Sequence, residues 1–347
     1  ALATTDSGSS GALVRALNAA NEVTQNALAV GNNVLLNAGS LLTTGVTLNS
    51  LTMAGSASLA LPASQALVDS SGALLVLPGY TGGGLSAGSI SATTGEFIVH
   101  AFADFTLNAG FATNTTLLTK TGPGTLSLSR RMTSASAYVF AGTLRLDAGN
   151  NTLFPGGYLY LNGGTIDLRG NGQWVYSILE EYGSSFTAGG GNITGGSGSV
   201  LATGASANRY FYGVMSGQMG VAFSAFGGVE YVHADNTYSG PTLLTAGVVT
   251  LRDAGRFSKT ARVDINYATL AMYDSALVDS GGVARVNPDA PIAMRGASLS
   301  LTGRAHALDS ATLGTVSVLE GMNTITSSPN NTGVTSANLV IDLVRPA

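Results

Sequence analysis

One short strand pattern recurs along this chain: a glycine or alanine, then apolar residues alternating with mostly small polar ones. It appears as Gly124-Thr125-Leu126-Ser127-Leu128, Gly142-Thr143-Leu144-Arg145-Leu146 and Gly164-Thr165-Ile166-Asp167-Leu168. Later copies are Gly247-Val248-Val249-Thr250-Leu251, Ala268-Thr269-Leu270-Ala271-Met272 and Ala297-Ser298-Leu299-Ser300-Leu301. A period of two sends one set of side chains inward and the other outward. The leading glycine reaches positive φ without steric cost, so it suits a corner before each strand. Asn162-Gly163-Gly164 and Asn171-Gly172 mark further corners. The copies resemble one another and are separated by more than a two-residue hairpin loop. They therefore predict an all-β repeat fold, a parallel β-helix (solenoid) in coils of roughly 20–25 residues that covers 1–347 as one continuous segment.

Composition fits that expectation. Hydrophobic residues make up 45% of the chain and charged residues only 10%, the reverse of a disordered sequence. A narrow core between stacked coils would exclude long charged side chains, which accounts for their scarcity. The 15 Lys and Arg form no basic stripe, so nucleic acid is not expected as a partner. Cysteine is absent, removing disulfides, thiolate nucleophiles and Cys-bound metals together. The uncharged stretch Gly213 to Val229 holds too many glycines and polar residues for a membrane helix and reads as buried strands and turns. Ala1 to Asp6 carries no secretory leader, which reads as an internal piece of a larger surface protein. Within 1–30, Ala12 to Val23 places Leu13, Leu17 and Ala20 at helical spacing behind Ser10, so this region is expected to be an irregular or partly helical loop.

Two stretches carry a family likeness. The first is Leu118-Thr119-Lys120-Thr121-Gly122-Pro123-Gly124-Thr125-Leu126-Ser127-Leu128, followed by Ala141-Gly142-Thr143-Leu144. The second is Asn236-Thr237-Tyr238-Ser239-Gly240-Pro241-Thr242, followed by Ala246-Gly247-Val248-Val249-Thr250-Leu251. Together they resemble the autotransporter-associated β-strand repeat, also called the passenger-associated transport repeat. The first copy keeps the opening and close of the repeat; the second keeps its middle. Val46 to Met53 and Gly321 to Thr326 echo it more loosely. The resemblance implies a right-handed parallel β-helix on the outer surface of a Gram-negative-type cell. It also implies a rigid spacer, fibre or adhesin stalk whose partners are further coils of the parent chain or neighbouring copies. No translocator barrel follows Val340 to Val344 in this sequence.

The residues give little to support catalysis. Glu180 and Glu181 are adjacent, so on a strand they would face opposite ways. Asp264, Asp274, Asp279 and Asp289 are spaced ten, five and ten residues apart, which fits no single face of a coil; they read as solvated corners. His100, His233 and His306 are isolated, save for Asp235 two residues beyond His233, and two ligands do not make a zinc site. No nucleophile elbow or phosphate loop occurs. The chain is thus expected to be no enzyme and to hold no cofactor or metal. The alternatives are a carbohydrate-active β-helix enzyme and a module binding glycan or host protein. For the latter the candidate contacts are Tyr158, Tyr160, Trp174, Tyr176 and Tyr182, since rings on an outer face can stack on sugars or pack on a partner. A second aromatic group comprises Tyr210, Phe211, Tyr212, Phe223 and Phe226. For both groups the competing reading is stacking within the rod.

Overall fold

A computed structural model describes residues 3–8, 11–16, 18, 20–180, 190–274, 284–303, 308–329 and 336–345. Every regular element among them is a β-strand. The chain forms two compact units, Ala1–Gly157 and Tyr158–Ala347, and each is a parallel β-solenoid.

In the first unit one sheet runs through Asn33–Leu36, Ser50–Met53, Ala73–Val76, Glu96–Ala101, Leu117–Thr121 and Ser136–Val139, each strand parallel to the next. A second sheet runs through Ser58–Ala60, Gly84–Ala92, Phe105–Phe111, Thr125–Leu128 and Thr143–Leu146. The alternation of the sequence becomes the inside and outside of the coil. Leu59, Leu85, Leu107, Leu128 and Leu146 stack in register and are buried, whereas Ser86, Ser127 and Arg145 between them are partly exposed. Burial of each such leucine contributes roughly 1.5–3 kcal/mol.

The second unit repeats the plan. Val200–Gly204, Gly220–Val232, Thr242–Arg252, Val263–Asn266 and Ile292–Arg295 pair in parallel. The two longest of these strands carry register shifts between Phe223 and Ser224 and between Ala225 and Val229. Beyond the shifts their second halves pair with Arg209–Phe211 on one side and Ala268–Tyr273 on the other. Phe211, Val232, Leu251, Met272 and Leu301 form a buried column there.

Glycine is required where one corner presses on the next. Gly142 has φ 64°, and a Cβ on it would lie 2.4 Å from the Gly122 carbonyl oxygen. Gly247 has φ 69°, and its Cβ would lie 1.6 Å from the Ala225 oxygen. No L side chain fits either place without moving backbone.

Two expectations need correction. Gly11–Ala16 is not loop or helix: it is a strand paired antiparallel with Ala3–Gly8, Thr5 opposite Val14. Thr4, Thr5 and Val14 are β-branched and favour extended backbone, and the hairpin pairs backbone groups that a lone short helix would leave open. The core also admits charge-bearing side chains. Lys120 occupies the column Val34, Leu51, Leu74, Val99, Lys120, Val139 and is 0% exposed. Glu230 occupies the column Glu230, Val249, Leu270, Leu299 and is 1% exposed.

Candidate functional site

The motif residues lie at the corners and face neighbouring coils. Lys120 is the penultimate residue of Leu117–Thr121, and its ammonium lies against the turn that follows. Nζ donates to the carbonyl oxygens of Thr121 at 2.9 Å, Gly122 at 2.8 Å and Ala141 at 3.0 Å. Ala141 lies 21 residues on, in the next coil. All three ammonium protons are used. Burial lowers the Lys120 pKa to about 8, opposed by the charge of Asp104. The second motif copy is consumed in the same way. Buried Asn236 accepts from the Met215 amide at 2.8 Å and donates to the Ala234 carbonyl at 2.8 Å. The Tyr238 hydroxyl meets Thr242 Oγ1 at 2.6 Å, and Thr242 Oγ1 meets Thr260 Oγ1 at 2.8 Å, all three residues buried. Burial raises the Tyr238 phenol far above its ordinary range.

The aromatic candidates lie in the second unit. Tyr158 and Tyr160 are half-buried on Tyr158–Leu161, alternating with buried Leu159 and Leu161. Tyr176 joins them: its ring is 5.2 Å from Tyr158, edge-on at 86°, and Tyr158 lies 6.0 Å from Tyr160 at 47°. The Tyr176 hydroxyl donates to Ser206 Oγ at 2.8 Å. Trp174 lies on Gly172–Val175, a strand of a different sheet, and is 40% exposed. Tyr182 lies outside the described residues. Three of the five candidates thus form one cluster, with rings crossed rather than coplanar.

The second aromatic group behaves differently. Phe211 and Phe223 are core residues, whereas Phe226 is exposed. Tyr210 stacks on Tyr231 at 4.8 Å and 8°, and Tyr212 on His233 at 4.3 Å and 21°. Those distances match the inter-strand spacing. The rings spend their faces on one another, a ladder that braces the coils.

The ionisable residues pair both across coils and locally. His233 engages Asp253 through Nδ1 at 2.6 Å, not the nearer-in-sequence Asp235. Asp253 is 20 residues away, one coil on, which is why local spacing does not reveal the pair. Burial keeps the His233 pKa below the usual histidine range, against the pull of Asp253. Asp264 pairs with exposed Arg262 at 2.8 Å and Asp289 is exposed. Asp274 is no solvated corner: it is buried against Arg285, whose Nη1 also donates to the carbonyls of Asp253 and Gly255. Glu181, Asp279 and His306 lie outside the described residues. Among the described residues, no group of three or more His, Asp or Glu is placed to hold a metal.

Glu180 and Glu230 were not legible as a pair. The Glu180 carboxylate accepts from the amides of Tyr212 at 2.7 Å and Gly213 at 3.0 Å, one on each oxygen. Burial raises its pKa to about 7. Glu230 Oε1 is buried with no hydrogen-bond partner among the described residues. Burial raises the Glu230 pKa to about 8; Arg209 opposes this and the charge of Glu180 adds to it. Comparison with family models, curated proteins and solved structures finds no match to this chain.

Proposed function

We propose that this chain is a non-catalytic structural module of a bacterial surface protein, similar in kind to the passenger-associated repeat, and that it serves outside the cell as a rigid spacer or stalk. One observation carries the reading. Four polar side chains of the motif copies, Lys120, Asn236, Tyr238 and Thr242, are buried and spend their hydrogen bonds on the chain itself. A motif built to bind or react would aim such groups at solvent. Parallel stacking then makes resistance to unfolding a sum over neighbouring coils. Further coils, from the parent chain or from neighbouring copies, are the proposed partners. The exposure of Leu343, in register with buried Val316, supports this, because another parallel coil would cover it.

Pulling single molecules of the full chain by its two ends tests the proposal. Stepwise extension, a coil or a few coils at a time, is the expected result; smooth extension at low force would remove the rigid-spacer role.

A second reading, glycan or host-protein binding, is favoured by the partly exposed cluster of Tyr158, Tyr160 and Tyr176 together with Trp174. Quenching or shift of the single tryptophan's fluorescence by added oligosaccharides would support it.

A further inference from the structure

We propose that Glu230, buried in register with Arg209, acts as a proton-operated latch inside the second unit, which leaves neighbouring coils together while it is protonated and loosens them as its proton leaves.

The latch is defined by its geometry. Glu180 ends the strand Ser177–Leu179 and reaches two amides 32 and 33 residues away, so its carboxyl group staples one coil to the corner of another. The strand that leads into that corner, Arg209–Phe211, lies in register with Gly220–Val232, Arg209 opposite Glu230. Arg209 Nε donates to Ser177 Oγ at 2.9 Å, back on the strand that leads to Glu180. Glu180 and Arg209 therefore tie neighbouring passes of the chain together, and Glu230 lies buried in register with Arg209. On its other side Glu230 is in register with Val249, which pairs in turn with Leu270.

Two amide donors, one per oxygen, suit an ionised Glu180, so this group gives up its proton first. Glu230 is left with the remaining proton. Its ionisation places a second negative charge in an apolar column, opposed only by Arg209 and with one oxygen unpartnered. Leaving a buried charge incompletely paired is costly. Both carboxyl groups have folded pKa values above the ordinary 4.5, at about 7 and about 8. The folded form therefore binds more protons than the unfolded one between these limits. The stability from this cluster is complete below pH 4.5 and is lost as pH rises through 7 and 8. The nearby His233 acts in the opposite sense at the lower end of this range: burial lowers its pKa from 6.5, so its contribution to stability grows as the unfolded imidazole loses its proton. In the first unit, buried Asp69 at about 6 and Lys120 at about 8 bracket the range from below and above.

Hydrogen–deuterium exchange of the full chain between pH 6 and pH 8, corrected for intrinsic exchange, tests the latch. Amides of Arg209–Phe211 and Val214–Gly217 should open tenfold or more per pH unit, while those of Thr125–Leu128 in the first unit stay level. Glu230→Gln, which imitates the protonated side chain, should reduce the response to the smaller part that Glu180 contributes near pH 7. An unchanged pH response in Glu230→Gln, or none in the parent chain, overturns the proposal. Infrared titration of the parent chain needs no variant. It should show a protonated carboxyl band that outlasts the ionisation of Asp69 near 6, is still present at pH 7 and fades through pH 8; a band lost by pH 7 overturns the proposal equally.

Discussion

Lys120 in the first unit and Glu230 in the second are both buried at inward positions, Lys120 in register between Val99 and Val139 and Glu230 between Arg209 and Val249. The surroundings differ. Lys120 has three carbonyl acceptors for three protons, whereas Glu230 keeps a buried oxygen without a partner among the described residues. The lysine is part of what closes its corner; the glutamate is tolerated while it carries a proton. The comparison shows why charge is scarce in such a core. A charged side chain is not barred by its length; it is barred unless the backbone at that level turns enough polar groups towards it.

The largest effect is expected at the satisfied residue. Lys120→Met strips donors from three carbonyls and should cost about 3–5 kcal/mol, read as lost exchange protection over Leu117–Thr121. A neutral outcome would show that the column wants only an apolar stem, and the contrast would fail. At the unsatisfied residue the sign reverses. Glu230→Leu should stabilise the second unit by about 1–3 kcal/mol above pH 8, measured by denaturant unfolding followed through Trp174, which lies in that unit. Thr242→Val asks whether full partnering matters for a neutral group too. It breaks the hydroxyl chain from Tyr238 to Thr260 and should cost about 1–2 kcal/mol by the same measurement. Smallest of all, Trp174→Ser should change stability by less than about 1 kcal/mol, because this residue is 40% exposed. A larger loss on denaturation would move it from the surface into the architecture.

The G-T-L-x-L strands made the solenoid legible, because a period of two with a glycine at each corner leaves few other ways to bury one face. Pairings across coils were not legible. His233 and Asp253 meet only because one turn of the solenoid brings them level, and the sequence does not state the length of each turn. The face chosen by Gly228-Val229-Glu230-Tyr231-Val232 was ambiguous for a related reason. Alternation alone allows Val229 and Tyr231 to point inward; register with Val249 and Leu251 sends Glu230 and Val232 there instead. Tyr158, Tyr160 and Tyr176 lie near one another in sequence, but which candidate rings meet and at what angles follows from packing: Trp174, two residues before Tyr176, lies on a strand of another sheet. The antiparallel pairing of Ala3–Gly8 with Gly11–Ala16 was hidden by an accidental helical spacing of leucines.

The in-register ladders also limit how such a chain changes length over generations. Inserting one amino acid into Thr242–Arg252 would turn every later side chain of that strand to the opposite face and break its match with both neighbours. Inserting a whole circuit preserves all of them. Duplication of complete turns therefore disturbs the ladders least, while a single-residue gain fits only at a corner or at a bulge such as the one at Thr245.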